Sequence, residues 1–160
     1  MRVPESIKDA LPVLAYTLGD RLLKVLTQDA PKCASASSQP ITVEIYLAAL
    51  YRSFPDETAS FFYQTEPLIK MAEELYPTDL KSAALWSLKN PVNPQSLLRL
   101  KIDDQLAGLL LQAAKFSSAS GRGRADLADF FGVLSLDDET IVRLHRERNL
   151  ILKGYIGLIG

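Results

Sequence analysis

Apolar positions recur at helical spacing along almost the whole chain. Ile7, Leu11, Leu14 and Leu18 fall on one helical face, and Leu22, Leu23 and Leu26 extend it, with Pro12 and Gly19 as breaks. Thr42 has the side chain and position of an N-cap for a helix carrying Glu44, Ile45, Leu47, Ala48, Leu50 and Tyr51. Pro55-Asp56-Glu57 opens the next helix, with proline at its start and acids at its positive end. Pro67 suits the first turn of another, which carries Leu68, Met71 and Leu75. Tyr76 to Asn93 reads as a connection, with a short helix fitting Leu80 to Trp86. Helical spacing resumes from Gln95 through Leu97, Leu98 and Leu100, and Asp103-Asp104 lead the strongest helix, Gln105 to Lys115. Ala125 to Leu134 is helical again. Asp137-Asp138-Glu139 head a last long helix with Ile141, Val142 and Leu144, which ends in Arg143, His145, Arg146 and Arg148. Pro31 to Pro40 and Ser117 to Gly123 are rich in small and turn residues and read as loops. The apolar end, Leu150 to Gly160, is expected to pack as a final short helix. No alternating run exceeds four residues, so the pattern predicts an all-α protein without a sheet.

The chain also matches itself at an offset of 83 residues. Gly19 to Ser37 aligns with Ile102 to Ser120 with eight of nineteen positions identical, among them Asp20/Asp103, Leu23/Leu106, Leu26/Leu109 and Lys32/Lys115. Downstream, shifted by one residue, Asp56-Glu57-Thr58 aligns with Asp138-Glu139-Thr140. Helix, Ser-rich loop, helix and acid-capped helix follow in the same order in both halves. Neither half can bury its apolar face alone, so the two are expected to pack on each other. The predicted organisation is one domain over 1–160: repeat one at about 6–76, a connection at about 77–95, and repeat two at about 96–160, with about four helices per repeat.

This layout resembles the N-terminal domain of the Clp-type AAA+ unfoldases, a tandem helical repeat whose signature is an Ile-Thr-x-Glu-His-Leu-Leu-Leu-Ala-Leu-Leu helix. Ile41-Thr42-Val43-Glu44-Ile45-Tyr46-Leu47-Ala48-Ala49-Leu50-Tyr51 keeps Ile, Thr, Glu, Leu, Ala and Leu in register, with Ile45 at the His position. In the second half, Arg124 to Leu134 keeps the apolar face. It puts Leu127 at the Glu position, or Asp126 if the register slips by one. The resemblance implies a Clp N-domain-like fold and a non-enzymatic protein-binding module. It would receive protein or peptide substrates, an adaptor, or a component of a contractile secretion sheath, and would work with an AAA+ ring. It also implies a partner-binding surface at Thr42, Glu44, Ile45, Asp126 and Leu127, between the repeats. In some members the glutamates of both repeats read cationic groups; here only Glu44 matches cleanly.

Composition narrows the remaining chemistry. Eighteen Lys+Arg against 19 Asp+Glu give a near-neutral chain, which argues against a dedicated nucleic-acid binder. One cysteine, Cys33, rules out an internal disulfide and suits the cytoplasm. With a single histidine, it speaks against a structural zinc site, so no metal and no cofactor are expected. There is no Gly-x-x-x-x-Gly-Lys-Ser/Thr phosphate loop and no Gly-x-Ser-x-Gly elbow. His145 sits among arginines and reads as a surface residue. No apolar run approaches the roughly 20 residues of a membrane span. Gly121-Arg122-Gly123-Arg124 has the parts of an anion-binding loop, against the plainer reading of a solvated one. A different class of function rests on Leu127-Ala128-Asp129-Phe130-Phe131-Gly132-Val133, which looks like the first half of a helix-turn-helix and makes a DNA-binding regulator the alternative. The following helix opens with three acids, which phosphates would repel.

Overall fold

The computed structural model describes residues 17–31, 40–75, 102–121 and 123–153. Several expectations lie outside them: the helix through Ile7, Leu11 and Leu14, Cys33 with most of its loop, the connection with its Leu80–Trp86 segment, the helix from Gln95, Arg122, and the tail beyond Lys153. Among the described residues the chain is mostly helical, with no named strand. The helices are α1 (Asp20–Lys24, continued by a π-helical turn, Val25–Asp29), α2 (Val43–Ser53), α3 (Pro55–Ala59), α4 (Glu66–Leu75), α5 (Asp104–Ala119), α6 (Leu127–Ser135) and α7 (Asp138–Arg148).

Their ends follow from local chemistry. Thr42 caps α2, its Oγ1 accepting the Ile45 N–H at 3.2 Å. Asp126 caps α6 in a reciprocal box: its Oδ1 accepts the Leu127 N–H at 2.8 Å, and Asp129 Oδ2 accepts the Asp126 N–H at 2.9 Å. α6 therefore begins at Leu127, two residues after the expected start at Ala125. α5 runs past the expected stop at Lys115. Ser117 is fully buried inside it, and the helix ends only at Ser120, before Gly121 takes φ +78°. Burial of that turn outweighs the loop preference of its serines. α7 stops where Asn149 adopts φ 59° and the chain turns back, so that Leu150 N–H reaches the Leu144 carbonyl at 3.3 Å.

Three short backbone pairings join the residues before Leu75 to those after Ile102. Leu18 pairs in parallel with Ala125, Ile41 in parallel with Ile102, and Phe62 antiparallel with Leu152. They form an exchanged set. Gly19 N–H donates to Ala125 O at 2.6 Å, while Asp103 N–H donates to Ile41 O at 2.9 Å. Tyr63 N–H donates to Ile151 O at 3.0 Å, while Lys153 N–H donates to Phe61 O at 3.0 Å. In the first set, residues 84 apart take the same role in opposite parts of the chain: Gly19 and Asp103 donate, Ala125 and Ile41 accept. The N-caps Thr42 and Asp126 are also 84 apart. The backbone register is thus one residue longer than the 83 of the side-chain match.

The core lies across these pairings. Tyr46, Phe130, Phe131, Leu22, Leu26 and Leu50 are among its largest buried side chains. Tyr46 of α2 meets Phe130 of α6 edge-on at 5.3 Å, and Phe61 stacks on Phe131 at 4.4 Å and 15°. The Tyr46 hydroxyl donates to Leu22 O at 2.8 Å, which satisfies the one polar group this ring brings into the interior.

Candidate functional site

The residues singled out from the sequence fall on the junction between these two parts of the chain, and most are used there. Ile45 and Leu127 are each 2% exposed and belong to the core, so neither offers a side chain to a partner in this conformation. Their places in the helices explain this: Ile45 and Leu127 are the first-turn residues that α2 and α6 turn inward. Thr42 spends its hydroxyl on its own helix. Glu44 accepts a hydrogen bond from Arg143 of α7 in a largely buried ion pair. Asp126 takes Arg21 in a two-pronged contact, Nε to Oδ1 at 3.1 Å and Nη2 to Oδ2 at 2.7 Å. That bond holds the Asp126 carboxyl below its ordinary range, helped by the Leu127 N–H and opposed by partial burial. The same bond raises Arg21, whose guanidinium also lies over the Phe54 ring at 5.6 Å. The 84-residue register puts exposed Ala128, and neither Leu127 nor Asp126, at the position of Glu44.

Two further arginines are likewise paired. Arg148 donates to Glu74 at 2.6 Å and Arg124 to Asp20 at 3.3 Å. Of the run Arg143, Arg146 and Arg148, two of the three guanidiniums turn toward the first part of the chain. Val142, expected on the buried face, is 51% exposed. In the segment likened to a helix-turn-helix, Leu127, Phe130 and Phe131 are core residues, and α7 opens on Asp138 and Glu139. Among the described residues no group of three His, Cys, Asp or Glu is placed to hold a metal ion, and no helix is long and apolar enough to cross a membrane.

An open groove of about 940 Å³ lies between α5, the end of α6 and the start of α7. Leu109 and Val133 form part of its lining, with Phe116 and Leu136 standing 50% and 68% exposed beside them. Gly108 sits midway along the α5 face, where an added Cβ would meet nothing within 4 Å. Sequence reading placed the partner surface at the start of α2 and missed this groove. Its signals were Gly108 in the strongest helix and Leu136 in the turn before three acids; neither stands out without the neighbouring element. An apolar exposed concavity with several fixed charges is suited to binding a side-chain-rich surface, and it brings together no nucleophile with a base.

Comparison with family models, with curated protein sequences and with solved structures finds no significant match.

Proposed function

We propose that this chain is a non-catalytic docking domain. Its fold is two pseudo-symmetric helical repeats of the kind that Clp-type AAA+ unfoldases carry, and it acts in the cytoplasm. It receives a protein or peptide substrate or an adaptor on behalf of an AAA+ ring. The observation that supports this best is that the bond from Gly19 to Ala125 recurs 84 residues on as the bond from Asp103 back to Ile41, with the N-caps Thr42 and Asp126 at the same separation. A tandem repeat packed about a two-fold axis has that property, because each contact from one repeat to the other recurs with the roles swapped. The exposed groove supports binding, and the committed state of Arg124, Arg143 and Arg148 counts against a DNA-binding role.

The test is capture from source-cell lysate on the immobilised chain, with Leu136→Arg as control. Glu44→Arg would be a poor control, since it breaks the pairing with Arg143 rather than blocking a surface. Recovery of an AAA+ ATPase or its substrates, lost in the Leu136→Arg variant, is the expected result. Salt-dependent retention on duplex DNA with no such protein recovered would instead establish the regulator.

A further inference from the structure

The α5–α6–α7 groove has a chemical direction. Asp104 lies at the start of α5, and Glu139, at the start of α7, lies near that end, since it shares an adjoining hollow with Gln105. Asp137 lines the same groove, and Lys115 stands eleven residues further along α5, about 16 Å away at the helical rise. One end therefore presents carboxylates and the other an ammonium, with an apolar floor between. Gly108 lies between the two, at a point where α5 has no side chain and a partner backbone can approach closely. Read along α5, this is the order natural helices favour at their own ends, acids first and bases last, so a helix with that same order is complementary when it runs the other way. A helix laid antiparallel to α5 would bring its basic C-terminal end to Asp104 and Glu139 and its acidic N-terminal end to Lys115.

We infer that this groove docks an amphipathic helix of about three turns, with an apolar stripe and a basic C-terminal end, antiparallel to α5. This rests on the docking-domain reading and specifies its partner. Charge complementarity selects this occupant: the groove's carboxylates outnumber its single lysine three to one, so an acidic helix of equal hydrophobicity is repelled.

The experiment uses three fluorescein-labelled synthetic helices with one leucine stripe, titrated with the full chain by anisotropy. The first carries lysines at its C-terminal end, the second lysines at its N-terminal end, and the third glutamates at its C-terminal end. The first should bind most tightly and weaken with added salt. Gly108→Trp fills open space in the free protein, so it should leave the circular dichroism unchanged while weakening the first peptide by about tenfold or more. Asp104→Lys with Glu139→Lys should reverse the preference toward the third peptide, and this keeps the test decisive if the tryptophan perturbs folding. Equal affinity for all three peptides, or affinity for the first that survives both sets of substitutions, overturns the proposal. So does self-association by sedimentation that Gly108→Trp abolishes, which would make a second copy the occupant. Recovery of an AAA+ partner from lysate together with peptide indifference would leave the docking domain standing and remove only this helix.

Discussion

Replacing Gly19 by alanine tests the exchanged pairing directly. Gly19 has φ −69° and ψ 167°, extended backbone that any residue adopts, so its constraint is steric. A Cβ built there would lie 2.7 Å from the Ala125 carbonyl oxygen, the same oxygen that accepts the Gly19 N–H at 2.6 Å. The obstacle is backbone, which cannot swing aside as a side-chain tip can. The two segments must separate, and the hydrogen bond is lost with its groups still enclosed, costing about 1–3 kcal/mol. Reduced freedom of the unfolded chain returns about 0.4–1 kcal/mol. The net loss is about 1–2 kcal/mol, a fall in melting temperature of about 2–8 °C for a domain of this size. Gly108→Ala is the internal control. At that open mid-helix position the same substitution should raise stability by about 0.5–1 kcal/mol. Thermal melts of both variants by circular dichroism give the comparison. A Gly19→Ala protein that melts at or above the unsubstituted chain would refute the close approach on which the exchanged pairing depends.

Other consequences can be checked alongside. Asp126 has its carboxyl pKa depressed in the fold, so its contribution is present above the ordinary carboxylate range and is lost as pH falls through the lowered value. Denaturant titrations from pH 5 downward should show a shallower acid loss in Asp126→Asn. The difference should be no more than about 1 kcal/mol, because half of the Asp126 side chain is exposed to screening solvent. For Glu44 and Arg143, each single alanine substitution should destabilise by about 1–3 kcal/mol by leaving a mostly buried partner unpaired, while the double variant costs less than the sum; additive losses in the cycle would deny the coupling. Phe131→Ala removes a ring stacked on Phe61 and edge-on to Phe62 and Phe130, and should cost about 3–5 kcal/mol in urea unfolding.

Local signals along the chain were legible where the chemistry is local. Thr42 as a cap, Pro55 and Pro67 at helix starts and the acids heading α7 all depend on neighbours within one turn, and all stand where spacing put them. The self-match at 83 and the spacing of 84 between the caps and the paired backbone differ by one because the leucine identities lie inside α1 and α5. There a slip of one residue rotates a helix by about 100° and still aligns leucine with leucine. Only the caps and the paired backbone fix the register at 84. The same slip put Leu127 in the role of Glu44. The internal use of Glu44 was hidden for a related reason. Whether Glu44 faces solvent or Arg143 is decided by an element 99 residues away, and no period or cap reports that. Ser117 shows the converse: composition predicts a loop, and full burial keeps it helical.

The exchanged pairings have a consequence for how the molecule behaves at high concentration. Each takes one segment from residues 17–75 and one from 102–153, and nothing in the bonded geometry requires both segments to belong to one molecule. Because both segments belong to one chain, each meets the other at a fixed effective concentration, and the closed monomer prevails in dilute solution. As the protein concentration approaches that value, for example during refolding of a concentrated stock, the same bonds close between chains and give a domain-exchanged dimer with the contacts of the monomer. Such a dimer returns to monomer only through unfolding, and so persists on dilution.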